Sequence, residues 1–192
     1  MAEKRLFVAI TGASGVVYAK RLIEVVAEHY DRVYLAASEN SLSILQDELD
    51  VVELEDLTPA GREGRFMLLD PGDLSAPPAS GSHDCEGMVI IPCSMGTAGR
   101  IASGVSNDLV TRAADVCLKE RRTLVLVIRE TPLSLVHLEN LRLLTRAGAI
   151  VLPASPAFYH RPKGIADLVD FVVDRVLQQL GTPERLVDEW KE

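Results

Sequence analysis

The sequence predicts a single α/β domain across residues 1–192, a doubly wound parallel sheet with helices on both faces. Three observations carry that expectation. The chain is 192 residues long with 47% hydrophobic and 25% charged side chains, a size and composition that fit one compact domain and exclude a disordered chain. Short apolar runs alternate along it with segments of helical periodicity. Aromatics make up only 5% of residues while branched aliphatics are plentiful, which suits strands buried on both faces better than a β-sandwich.

Leu6-Phe-Val-Ala-Ile10 reads as a buried strand, stopped by Thr11-Gly-Ala-Ser-Gly15, after which Val17, Leu22, Ile23, Val26 and Ala27 take up helical spacing. Residues 32–37 form the second strand, and Ser38 caps a helix running through Leu42, Leu45 and Leu49. Residues 51–87 lose periodicity and read as an irregular loop holding a short strand near residues 66–69. Met88-Val-Ile-Ile91 is the next strand, ending in Pro92-Cys-Ser-Met-Gly-Thr97, where small residues suit a tight helix start. A helix over residues 107–120 capped by Ser106, a strand over 123–128, a helix over 134–146 and a strand over 149–152 follow. The last helix, over residues 164–180, sets Ile165, Leu168, Val169, Val172, Val176 and Leu180 on one stripe.

The net charge of -8 argues against non-specific nucleic-acid binding, which gathers Lys and Arg against phosphates. That charge is unevenly spread. Residues 1–99 carry 7 basic and 16 acidic side chains, whereas residues 100–146 carry 8 and 5, so an acidic chain has a basic middle that suits a small phosphorylated ligand. Cys85, Cys93 and Cys117 show neither a disulfide framework nor a CxxC spacing. His29, His83, His137 and His160 form no HExxH or other ligand pattern, so no metal is expected. The apolar run Leu6 to Ile10 is too brief for a signal-peptide core, and no run approaches the roughly 20 residues of a membrane span. A cytoplasmic protein without a membrane span is the expectation.

Ligands of such sheets sit outside the C-terminal strand ends where strand order reverses, which directs attention to the strand exits. Gly12-Ala-Ser-Gly15 opens a helix and leaves main-chain N–H groups suited to a phosphate or a flavin edge, with a turn needed only for packing as the alternative. Only two glycines of the GxGxxG fingerprint can be placed, which disfavours a nicotinamide dehydrogenase, although Glu39 mimics its ribose-binding acid. Ser94-Met-Gly-Thr97 adds a second donor cluster. Arg112 and Lys119 project from one helix face, although Asp115 between them allows a plain solvated ladder. Arg129-Glu130 places opposite charges at the end of an apolar strand. Arg175 lies at the margin of the last helix's stripe, where an arginine can simply snorkel, and Tyr159-His-Arg-Pro162 brings a phenol, an imidazole and a guanidinium to one loop.

These segments, taken in order, are familiar. Thr11-Gly-Ala-Ser-Gly15, Ala76-Pro-Pro-Ala-Ser-Gly-Ser82, Pro92-Cys-Ser94, Arg112-Ala-Ala-Asp-Val116, Leu118-Lys-Glu-Arg-Arg122, Arg129-Glu-Thr-Pro-Leu133 and Pro156-Ala-Phe-Tyr-His160 resemble the flavin prenyltransferases of the UbiX type nearly end to end. Leu74 and Ser75 stand where that family often has an aromatic residue, and residues 53–70 match none of its segments. The resemblance implies a flavodoxin-like or Rossmann-like fold assembling into a homo-oligomer, a dodecamer, with reduced FMN and dimethylallyl monophosphate bound at subunit junctions. It implies that a dimethylallyl group is joined to flavin N5 and closed onto C6, giving prenylated FMN for a UbiD-type decarboxylase, with no metal. Carried over by position, Gly12, Ala13, Ser14, Ser38, Ser94, Met95, Gly96, Thr97 and Arg129 match FMN contacts. Lys119, Tyr159 and Arg175 match the surroundings of the prenyl phosphate, and Ser14, Glu48, Arg112, Lys119 and Glu130 are the implied catalytic set. The rival readings are an FMN-dependent cysteine decarboxylase of related fold, disfavoured by the basic middle segment, and a non-catalytic flavin carrier, which would leave the prenyl-phosphate residues without purpose.

Overall fold

A computed structural model describes residues 3–188. Its strands are β1 (Arg5–Ile10), β2 (Arg32–Ala37), β3 (Phe66–Leu68), β4 (Gly87–Cys93), β5 (Thr123–Ile128) and β6 (Ile150–Pro153). The helices are α1 (Val16–His29), α2 (Glu39–Leu49), α3 (Met95–Ala102), α4 (Leu109–Glu120), α5 (Leu135–Ala147) and α6 (Ile165–Gln179). The strands are parallel and ordered β3-β2-β1-β4-β5-β6. Chain order therefore reverses between β1 and β4, the switch point of a doubly wound sheet.

Alternation along the strands divides the core in two. Leu6, Val8 and Ile10 of β1 face a layer with Leu22 of α1, Leu45 of α2 and Val172 of α6. Phe7 and Ala9 face the opposite layer with Ala98 of α3, Ala114 of α4 and Leu144 of α5. β4 is buried throughout and β5 beyond its first residue, so their apolar runs are continuous, whereas β6 at the edge is only half-buried. Gly87 opens β4 because a Cβ there would lie 2.9 Å from the Thr123 carbonyl oxygen of β5.

Two local expectations change. The Ser94 exit opens a complete helix, α3, whose N-terminal N–H at Thr97 is taken by the Ser94 hydroxyl at 3.2 Å. The cap of α4 is Asp108 and not Ser106: its carboxylate accepts from the Thr111 N–H and hydroxyl, both at 2.7 Å, and the helix begins at Leu109. A charged acceptor three residues before the last unpaired N–H outcompetes a hydroxyl set two residues further out.

Burial raises the Asp108 carboxyl, but the bonds from Thr111 and the guanidinium of Arg100 outweigh it and hold the group below its ordinary value. A depressed carboxylate stabilises the fold fully above its unfolded pKa of about 3.9 and loses that contribution as pH falls through the folded value. Asp108→Ala is expected to cost about 1–2 kcal/mol in urea unfolding at neutral pH. The gap to the parent chain should narrow below about pH 4; equal stability at pH 7 would deny the cap its role.

Candidate flavin and prenyl-phosphate site

At the switch point the chain leaves β1 toward α1 on one face and β4 toward α3 on the other. Thr11 holds the two exits together. Its buried hydroxyl donates to the Pro92 carbonyl at 2.9 Å and accepts the Ser94 N–H at 2.8 Å, while its own N–H reaches the same carbonyl at 3.2 Å. Pro92 brings no N–H to the sheet, and the β4–β5 register shifts between Ile90 and Cys93. That irregularity is where the Thr11 bridge attaches.

The helix N-termini flanking the crevice differ. Gly15 caps α1 with φ of 100°, a left-handed conformation that favours glycine, and a Cβ there would also press on the Tyr18 ring at 3.1 Å. The N–H groups of Gly15 and Val16 are already taken by the Glu48 carboxylate from the end of α2, at 2.9 and 3.1 Å. The first turn of α3 is open. Its Met95 and Gly96 N–H groups meet no acceptor among the described residues, and a Cβ on Gly96 would find only the Ser94 hydroxyl, at 4.0 Å. An anionic group therefore fits α3 and is repelled from α1.

Around this crevice the fold gathers all nine residues expected to contact flavin. The Ser38 N–H bonds the Ile10 carbonyl at 2.9 Å, which fixes the β2 exit beside that of β1. Arg129, at the end of β5, donates from Nε to the Ser14 carbonyl at 3.2 Å. Gly12, Ala13, Ser14, Ser38, Glu48, Ser94, Met95, Gly96, Thr97 and Arg129 thus share one edge of the sheet. Glu130 follows Arg129 into solvent, with its carboxylate accepting the Thr131 N–H at 3.0 Å.

The remaining expected residues lie elsewhere in the chain. Lys119 occupies the last turn of α4, just before β5 begins, so it lies at the entry edge of the sheet while Arg129 lies at the exit edge. Six strand residues at about 3.3 Å each separate these edges by roughly 17–20 Å. Lys119 pairs with Glu120. The 76–82 loop crosses it at Gly81, where a Cβ would come within 2.6 Å of Nζ. Arg112, one helix face with Lys119, binds the Ala79 carbonyl at 3.1 Å and Asp115 at 2.8 Å, so half of the expected ladder forms. Tyr159 and Arg175 line a third place, a cavity of about 450 Å³ against α6 that includes Phe171 and Arg185. The Tyr159 ring meets Phe171 edge-on at 5.9 Å, and Arg175 donates to Gln178 at 2.6 Å.

Cys85, Cys93 and Cys117 are free and buried. Burial pushes the Cys93 and Cys117 thiols up to about 12, which leaves neither as a thiolate nucleophile at neutral pH. No group of side chains fit to hold a metal occurs among the described residues, and no described helix is long and apolar enough to cross a membrane. Sequence reasoning missed Thr11, Asn40 and Arg100. Asn40 packs where a Gly12 Cβ would lie 3.0 Å from its own Cβ, and Arg100 donates to the Thr97 hydroxyl at 3.2 Å. Of these, only Thr11 carried a signal, as a hydroxyl residue directly at a strand exit.

A switch-point crevice with open N–H donors and a nearby guanidinium is an architecture for a phosphate-bearing cofactor, and residues 1–177 match the family model described as Flavoprotein. The flavin prenyltransferase UbiX of Pseudomonas aeruginosa is 43% identical, with 98% of this chain and 95% of that protein covered. The chain belongs to the UbiX-type flavin prenyltransferase family. A crystal structure of AnUbiX (PadA1) in complex with FMN and dimethylallyl pyrophosphate matches at a TM-score of 0.90 and 36% identity, covering 100% of this chain and 99% of that one. A dodecameric FMN-dependent Ubix-like decarboxylase from Escherichia coli matches at a TM-score of 0.90 and 38% identity, covering 98% and 100%. The peptidyl-cysteine decarboxylase EpiD, at 19% identity and a TM-score of 0.59, shares the fold alone.

Thr11→Val keeps the side-chain shape but strips the Ser94 N–H of its acceptor in a buried place. The expected cost is about 1–3 kcal/mol in urea unfolding, with weaker FMN uptake. A variant as stable as the parent that binds FMN equally would show that the bridge is dispensable.

Proposed function

We propose that this chain, as one flavin-binding domain, transfers the dimethylallyl group of dimethylallyl monophosphate to N5 and C6 of reduced FMN. The product, prenylated FMN, is destined for a UbiD-type decarboxylase in the cytoplasm. The observation that carries the reading is the exit crevice with the open α3 N-terminus and Arg129 on the Ser14 carbonyl, in a chain 43% identical to a flavin prenyltransferase over nearly its whole length. Bound flavin supplies the two nucleophilic ring positions; no metal takes part.

The residues divide the remaining work. Gly12, Ala13, Ser14, Ser38 and Ser94 to Thr97 hold the flavin, with its phosphate against main-chain donors and Arg129. Ser14 and Glu48 stand together at the start of α1 and manage the proton near N5. As the allylic C–O bond breaks, charge accumulates on the departing phosphate, and Lys119, Arg129 and Arg175 stabilise it while Glu130 or Tyr159 supplies a proton. Arg112 orients this group through its fork of donors.

Such a site needs several copies of the chain, because Lys119 and Arg129 lie at opposite edges of one sheet. Leu135 (74% exposed), Val136 (67%) and Leu138 (50%) give α5 an uncovered apolar face, which supports burial against another copy in a homo-oligomer, a dodecamer. The rival carrier reading gives Lys119, Tyr159 and Arg175 nothing to do.

The direct test incubates the protein with reduced FMN and dimethylallyl monophosphate without oxygen, then weighs the extracted flavin. A gain of one five-carbon prenyl unit is expected. Unmodified FMN, with the diphosphate donor also inert, would defeat the assignment. Glu130→Gln should retain FMN yet lose most turnover, and unchanged turnover would remove Glu130 from the mechanism. Subunit sharing has its own test. Lys119→Ala and Arg129→Ala should each be inactive, but chains co-expressed and assembled together should regain about a quarter of parental activity, the random share of junctions with both residues intact. No recovery in mixed oligomers would place both residues in one chain's site.

A further inference from the structure

Arg100 lies on α3 outside every residue set assigned above, and three observations mark it. Its Nη2 donates to the Thr97 hydroxyl at 3.2 Å, and that hydroxyl in turn accepts from the Ser94 hydroxyl at 3.1 Å. Its Nη1 donates to the Asn107 side-chain oxygen at 3.0 Å and is paired with Asp108. Asp108 is itself the cap of α4, the helix that carries Arg112 and Lys119. One half-buried guanidinium therefore spans the two hydroxyls of the β4 exit on one side and the start of the cationic helix on the other.

We infer that Arg100 is a positioning residue that fixes the Ser94–Thr97 hydroxyl pair for flavin and, through Asp108, sets α4 for the prenyl phosphate. The inference rests on the flavin prenyltransferase reading and extends it to a residue that touches neither substrate. A hydroxyl accepting from a cation has its own proton directed away from that cation. Thr97 already accepts from both Arg100 and Ser94, so its proton is turned outward as a donor. The planar fork matters because the Thr97 and Asp108 bonds leave from different nitrogens of one rigid group, which a lysine ammonium on a flexible stem reproduces one at a time. The chain thereby couples its own flavin seat to the helix it contributes to a neighbouring junction.

The test titrates FMN into the full-length parent, Arg100→Gln and Arg100→Lys by flavin fluorescence, alongside kcat and KM for the prenyl donor and thermal unfolding. Arg100→Gln is expected to weaken FMN binding on the order of tenfold and to raise the donor KM, with kcat at saturation within about twofold of the parent. Arg100→Lys should recover either flavin affinity or donor KM but not both, a split that loss of folded protein cannot produce. Parental affinity and KM in both variants, or parallel losses that track the folded fraction, would overturn the inference while leaving the parent's activity in place. A parent chain that takes up no FMN would instead overturn the flavin reading, and this inference with it. Should Arg100→Gln fail to fold, the Lys variant alone decides by the same split.

Discussion

The Thr11 hydroxyl is the constraint on which the site depends. Parallel pairing holds β1 against β4 only as far as Ala9 and Ile90, and past that point the two chains part for opposite faces of the sheet. Divergence is what makes a crevice at a switch point, but it also leaves the exits without a ladder to fix their spacing. A buried hydroxyl that donates to one exit and accepts from it again two residues later restores that spacing. The first residues of the two exits, Thr11 and Ser94, are then held together by a side chain and not by loop flexibility. The bond to the Pro92 carbonyl is buried and the one from Ser94 partly so, and both hold more firmly than the same contacts would at the surface.

The second constraint is the length of a strand. The helix α4 ends just before β5 begins, so a cation in its last turn lies a strand's length from a ligand at the end of β5 in the same chain. Lys119, Arg129 and Arg175 occupy three separate places in one chain, and in the proposed reaction assembly is what would bring their charges to one phosphate. The uneven charge along the sequence then has a structural meaning. The basic middle segment spans α4 and the β5 exit, at opposite edges of the sheet.

Much of this was legible in the residues, and the failures are instructive. Five strands announced themselves as continuous apolar runs bounded by turn residues, whereas β3, three residues long and only partly buried, was read merely as a short strand within an irregular loop. Exit residues followed from the fold rule, and Ser14, Ser94 and Arg129 do share an edge. The α4 cap went to Ser106 in the sequence because a hydroxyl before a helical pattern is a common start signal, whereas Asp108 wins by charge and by its reciprocal bond with Thr111. Glu48 showed no local signal for its bonds to Gly15 and Val16, since the partners are 33 and 32 residues away. Motif order likewise joined Lys119 to Arg129, and only the sheet separates them.

The unequal treatment of the two helix N-termini at the crevice gives the site its polarity. Each carries a partial positive charge of comparable size, so left alone they would compete for the same anion. Glu48 removes one competitor by filling the start of α1 with a carboxylate, and it does so beside Ser14, where a flavin ring rather than its phosphate is proposed to lie. The open α3 terminus and the Arg129 guanidinium remain as the places where negative charge is stabilised. In the proposed complex the flavin phosphate is drawn to α3 and held away from Glu48, which leaves the ring edge against the group proposed to manage its proton. That proposed orientation follows from one carboxylate's choice of helix.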